Sequence, residues 1–168
     1  FKSDIFDSNE TNTINCSYNG HCSDYTMNIS DQNQKVSSFN FDCDSKDSCN
    51  LFIIDIVNSS LNTINIWCNN GDSCKSLHLN ISDSNIISLN IYCIESWSCY
   101  YSSLYSGNSN ITANLFCIEY NACSDLNIRG DSEMFLNINM YKYSDPNIAN
   151  INLNCNNYAK IRYDTQII

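Results

Sequence analysis

Five copies of one frame, a cysteine, five residues and a second cysteine, constrain this chain more than any other feature. They read CSYNGHC, CDSKDSC, CNNGDSC, CIESWSC and CIEYNAC, and begin at Cys16, Cys43, Cys68, Cys93 and Cys117. The steps between them are 27, 25, 25 and 24 residues. A near-constant period in this range marks a repeat architecture, in which each unit buries its apolar face only against its neighbours.

With the first cysteine of each frame as origin, the preceding residues fall into columns. Two residues before it stand Ile14, Phe41, Ile66, Ile91 and Leu115, and four before it stand Phe39, Ile64, Leu89 and Ala113. Between them lie Asn40, Asn65, Asn90 and Asn114. Strict apolar–polar alternation predicts a half-buried strand. The same pattern recurs in FLNIN and INLN, which adds Asn137 and Asn152 to the asparagine column. A second strand is expected three to seven residues after the second cysteine, as in Phe52/Ile54/Ile56 and Leu77/Leu79/Ile81.

These units predict an all-β fold, a parallel β-solenoid of about six coils with repeats of about 25 residues and corners stapled by disulfides. Residues 1–168 read as a single solenoid domain. Regular coils are expected over 12–139, and 140–168 form an irregular terminal coil, a cap or a junction, with Met140 and Pro146 in the cysteine positions. The repeat resembles the right-handed parallel β-helix superfamily, in the cysteine- and asparagine-rich form seen in secreted surface proteins.

Both cysteine columns are filled in five coils and lost together in the coil of Met140 and Pro146. Paired loss favours bonds within a coil: Cys16–Cys22, Cys43–Cys49, Cys68–Cys74, Cys93–Cys99 and Cys117–Cys123. Stacked free thiols and bonds between successive coils are the alternatives. Cys155 is left over, as an unpaired thiol or half of an intermolecular bond. The spacing does not match a zinc site, and no metal or other cofactor is expected.

The chain carries 18 acidic and 8 basic residues, a net charge of −10. That balance argues against nucleic acid as a partner, and no apolar run of about 18 residues predicts membrane insertion. Eleven cysteines suit a secreted, extracellular or cell-surface protein, and a start without Met or a signal-like stretch reads as a processed piece of one. Six N-x-S/T sequons, at Asn9, Asn15, Asn28, Asn58, Asn80 and Asn110, are the expected sites of N-linked glycans.

Two outward features stand out. The column Asn40, Asn65, Asn90, Asn114, Asn137 and Asn152 is expected to form an amide ladder. Beside it, Trp67, Tyr92 and Phe116 each precede a first cysteine and form a stripe that could meet a ligand or partner.

The expected role is a non-catalytic structural or assembly subunit of an extracellular filament, surface hair or coat, associating end to end with itself or with other extracellular subunits. An adhesin or carbohydrate-binding module using the aromatic and asparagine face is the alternative. A polysaccharide-active β-helix enzyme is more distant. Arg129 and Arg162 lie far apart, and Asp42 and Asp44 beside Cys43 have no matching partner group in the repeat.

Overall fold

The computed structural model describes residues 11–18, 22–30, 38–131, 134–140, 152–155, 161–162 and 165–167. The strands alternate along the chain between two sheets. In order they are β1 (Thr11–Asn15), β2 (Thr26–Ser30), β3 (Ser38–Cys43), β4 (Ile53–Val57) and β5 (Ser60–Cys68). Next come β6 (His78–Ser82), β7 (Asn85–Cys93), β8 (Ser103–Ser106), β9 (Asn110–Cys117) and β10 (Asn127–Gly130). The last four are β11 (Met134–Met140), β12 (Asn152–Cys155), β13 (Ile161–Arg162) and β14 (Thr165–Ile167). There is no helix among the described residues.

Odd-numbered strands form one sheet in the order β1-β3-β5-β7-β9-β11-β13, with β14 also on β11, and even-numbered strands form the other, β2-β4-β6-β8-β10-β12. Every pairing is parallel, and its register equals the repeat length. Asn65 lies opposite Asn40 and Asn90, and Ile54 opposite Leu79 at the next rung. The fold is therefore a parallel β-solenoid. It makes about four turns rather than the expected six. Four circuits separate β3 from β11, and the segment NLNC (Asn152–Cys155) adds to the second sheet instead of opening another coil of the first.

Strand alternation sends one set of side chains into the space between the sheets. Phe39, Phe41, Ile64, Ile66, Leu89, Ile91 and Leu115 enter from the first sheet, and Ile54, Ile56, Leu79, Ile81, Leu104 and Ile128 from the second, all buried. The second strand of the Cys93 coil, whose column reads Ser102, Leu104 and Ser106, fits the pattern because small buried serines replace the larger apolar residues. Ser102 Oγ donates to the Cys74 carbonyl at 2.7 Å, so its hydroxyl is satisfied inside. The 24-residue step from Cys93 to Cys117 is absorbed at Ile87 and Ser88. Register shifts there, from Ile86 opposite Ile111 to Leu89 opposite Ala113. Ile87 is left exposed, as expected where two residues face one.

One prediction from the columns needs correction. Asn152 does not extend the asparagine column of the first sheet. It pairs with Asn127 in the second, Leu153 with Ile128, and Cys155 with Gly130. The alternation x-Asn-x occurs in both sheets, so it does not tell them apart. Spacing does: residues 127 and 152 are one 25-residue period apart, whereas 137 and 152 are not. Met140 does take the first-cysteine position, opposite Cys117.

Candidate functional site

The cysteine frames form the corner between β3 and β4 and its equivalents. The disulfides Cys16–Cys22, Cys43–Cys49, Cys68–Cys74, Cys93–Cys99 and Cys117–Cys123 all close within a coil, with Cα atoms 5.6 to 5.8 Å apart. Closing so short a loop removes unfolded-state freedom worth about 2 kcal/mol per bond. Cys43, Cys49, Cys68, Cys74, Cys93 and Cys99 are buried at most 1% exposed, so the bonds stack as a sulfur ladder inside the corner. The sulfurs of Cys16, Cys22 and Cys49 lie within 4.8 Å of one another, but each is committed to a disulfide and offers no thiolate to a metal.

Each corner is a run of overlapping turns. In the Cys43 corner the amides of Ser48, Asn50 and Phe52 donate to the carbonyls of Ser45, Asp47 and Cys49 at 3.1, 3.3 and 3.3 Å. Two of these turns need a left-handed residue at their third position, two residues before and two after the second cysteine. Asp47 and Leu51 fill those places with φ of 56° each, and Asp72 and Ser76 do so one coil later with 57° and 55°. The corners also bond along the axis: Cys49 N–H donates to Ser73 O and Cys74 N–H to Ser98 O, both at 2.8 Å. A third hydrogen-bonded column thus runs beside the two sheets.

The asparagine column is a continuous amide ladder. Asn65 Nδ2 donates to Asn40 Oδ1, Asn90 Nδ2 to Asn65 Oδ1 and Asn114 Nδ2 to Asn90 Oδ1, each at 2.8 Å. Asn137 continues the register above Asn114. On the opposite turn the Ser59 and Ser84 amides donate to Ser84 Oγ and Ser109 Oγ at 3.1 and 2.9 Å. These hydroxyls satisfy backbone groups that a tight turn leaves without a strand partner.

The stripe is also a ladder. Trp67 and Tyr92 have ring centroids 3.8 Å apart with planes 5° from parallel, and Tyr92 and Phe116 are 4.6 Å and 6° apart. The rings face one another like stacked plates and present mainly their edges outward. A sugar or partner that stacks needs a ring face, and here the inner faces are already used. Below Trp67 the column continues with Asp42. Burial, and then the neighbouring charge of Asp44, hold the Asp42 carboxyl above the ordinary carboxylate range. Asp44 itself accepts from Asn69 Nδ2 at 2.5 Å.

The outer face of the second sheet pairs unlike groups. Asn80 Nδ2 donates to Asp55 Oδ1 at 2.7 Å, Tyr105 Oη donates to Asp131, and Arg129 lies 5.4 Å from the Tyr105 ring centre. The bond to Asp131 is the main reason the Tyr105 hydroxyl is held above its ordinary pKa. His78 Nδ1 is 2.7 Å from Ser103 Oγ on the next rung. A serine–histidine contact of this length is one part of a Ser–His acyl-transfer site, which also needs an orienting acid and oxyanion donors. The ion pairs among the described residues, Lys75–Asp72 and Arg129–Asp131, do not involve His78, and the contact reads as one more bond along the axis.

One cluster was not singled out from the sequence. At the corner of the Cys93 coil, Trp97 meets Tyr100 edge to face at 4.8 Å and 82°, and Tyr100 lies 3.8 Å from Tyr101. A hydrogen bond to Tyr101, helped by burial and by the nearby charges of Tyr101 and Asp125, pushes the Tyr100 hydroxyl up to about 12. The signal was present in the run WSCYY, which places three aromatics two before, one after and two after one second cysteine, positions that hold no aromatic in the other corners.

No protein-family model, curated protein or solved structure matches this chain. Function is therefore argued from the chain's own geometry.

Of the sequon asparagines, Asn15, Asn28 and Asn58 are exposed, and Asn80 is half-buried with its amide on Asp55. Asn110 opens β9, and Asn9 lies outside the described residues. Five disulfides are typical of extracellular proteins. Among the described residues no helix is long and apolar enough to cross a membrane.

Proposed function

We propose that this chain is a non-catalytic structural or assembly unit of an extracellular filament, surface hair or coat. The observation that carries the reading is that bonding runs along the solenoid axis in every column: two parallel sheets, the corner amides, the asparagine ladder, the serine turn and the aromatic stack. Each rung is thus a template for an identical neighbour. Among the described residues β1 and β2 have one strand neighbour each. An open parallel edge is suited to pairing with another chain, and a head-to-tail contact whose rotation does not close builds a filament. The partner is a second copy of this chain or another extracellular subunit.

The disulfides and the resemblance to cysteine- and asparagine-rich β-helix surface proteins support secretion, and exposed Asn15, Asn28 and Asn58 support N-glycosylation. A charge of −10 supports neither nucleic acid nor an anionic membrane as the main partner. The adhesin reading through Trp67, Tyr92 and Phe116 draws less support, because those rings stack on each other.

Sedimentation of the oxidised chain over a wide concentration range, with negative-stain imaging of the same samples, tests the proposal. Rods that lengthen with concentration are expected. Monomers at every concentration would sink it.

A further inference from the structure

The corner around Cys99 places aromatic residues at two positions where the described residues of the other corners are Asp, Asn, Ser or Leu. Two residues before the second cysteine, the left-handed position holds Asp47, Asp72 and Asn121; two after, it holds Asp24, Leu51, Ser76 and Asp125. At Cys99 these places hold Trp97, with φ 64°, and Tyr101, with φ 56°. Left-handed backbone suits Gly, Asn and Asp, and a bulky side chain there is an outlier that its surroundings must hold. Core burial does not hold these two, since Trp97 is 40% and Tyr101 53% exposed. Strain of this kind concentrates where a side chain serves a binding or catalytic purpose.

The surroundings suggest which ligand. Trp97 and Tyr100 are near perpendicular, and Tyr101 tilts 31° against Tyr100 with centroids 3.8 Å apart, so Tyr101 has one face on Tyr100 and, unlike the middle ring of the stripe, its other face outside these contacts. One rung above, Tyr120 is 46% exposed. Asp125 is close enough to influence Tyr100, and Glu95 and Glu119 belong to the same two corners. Carboxylates accept hydroxyl hydrogens well and repel anions.

We propose that the Cys99 corner binds a neutral glycan, with Trp97 and Tyr101 offering ring faces to the C–H face of a pyranose and Asp125 accepting from its hydroxyls. The site is separate from the assembly role and does not depend on it.

The test titrates the oxidised, folded chain with neutral gluco-, manno- and N-acetylglucosamine oligosaccharides, and in parallel with sulfated and uronate oligosaccharides. Binding is followed by tryptophan fluorescence and on an oligosaccharide array. At least one neutral set binds, and Trp97→Asn and Tyr101→Asn each weaken it by about tenfold or more. Trp67→Phe leaves it unchanged, because Trp67 belongs to the stacked stripe. Both asparagine variants unfold at no lower temperature than the parent, since Asn tolerates left-handed backbone. If either fails to fold, Tyr101→Ser, the residue that Ser76 already supplies in that column, gives the same reading. Absence of any neutral binding, preference for the anionic set, or neutral binding that survives Trp97→Asn would overturn the proposal.

Discussion

Two of the aromatic groups among the described residues are built on opposite principles. Trp67, Tyr92 and Phe116 sit at equivalent positions of successive coils, nearly parallel, on regular strand backbone. Trp97, Tyr100 and Tyr101 come from a single corner, face different ways, and two of them occupy left-handed backbone. The first group repeats along the axis and so contributes to every rung it touches. The second interrupts the repeat and strains it locally. A solenoid spends like residues on ladders, and a departure from likeness marks a place where something other than stability was required.

The sharpest way to break this division is to attack the corner's covalent frame instead of its side chains. Replacing Cys68 and Cys74 together by Ala should lower stability by about 2–4 kcal/mol, from the lost loop constraint and the void left in a buried sulfur ladder. Equilibrium denaturation of the oxidised protein measures it. A loss no larger than that of a surface substitution would mean the staples are ornamental and the corners are held by their turns alone.

The ladder side is tested next by Asn65→Ala. Asn65 both donates to Asn40 and accepts from Asn90, so its removal leaves one acceptor and one donor without their partner. About 1–3 kcal/mol should be lost, the range for half-buried polar groups deprived of a bond. Hydrogen exchange should quicken at β3, β5 and β7 more than at β8 and β10.

The smallest effect lies where the stripe meets Asp42. Its carboxyl is held above the ordinary range by burial and by Asp44. Such a group binds its proton more readily folded than unfolded, so stability falls as pH rises from the ordinary carboxylate range through the raised value. Asp42→Asn should therefore stabilise the protein slightly at neutral pH, and the gain should disappear in acid below the ordinary range. Thermal unfolding at pH 7 and at pH 3 compares the two.

Most of this architecture was readable from the residues because a solenoid writes its period directly into the chain. Phe41, Ile66 and Ile91 fall into one column in the sequence and one buried row in space. The limits have physical causes. Asn152 was assigned to the wrong sheet because both sheets use the same alternation, and only the 25-residue step separates them. The left-handed corner positions were not foreseen because Asp47, Leu51 and Trp97 share no residue type; turn geometry imposes the conformation, and only the structure reveals which members are strained by it. The stripe was expected outward, but that its rings would use their faces on each other depends on rung spacing and ring orientation, which a column of letters does not contain.

The division between ladder and corner is tested most directly by unfolding Tyr92→Ala and Trp97→Asn side by side in the oxidised state. Tyr92 is the middle ring of its stack, and removing it forfeits both contacts, about 1–3 kcal/mol beyond the area it covers. Trp97→Asn places a tolerated residue on left-handed backbone. The account predicts a lowered midpoint for Tyr92→Ala and an unchanged or raised one for Trp97→Asn. Equal losses in the two variants would contradict it.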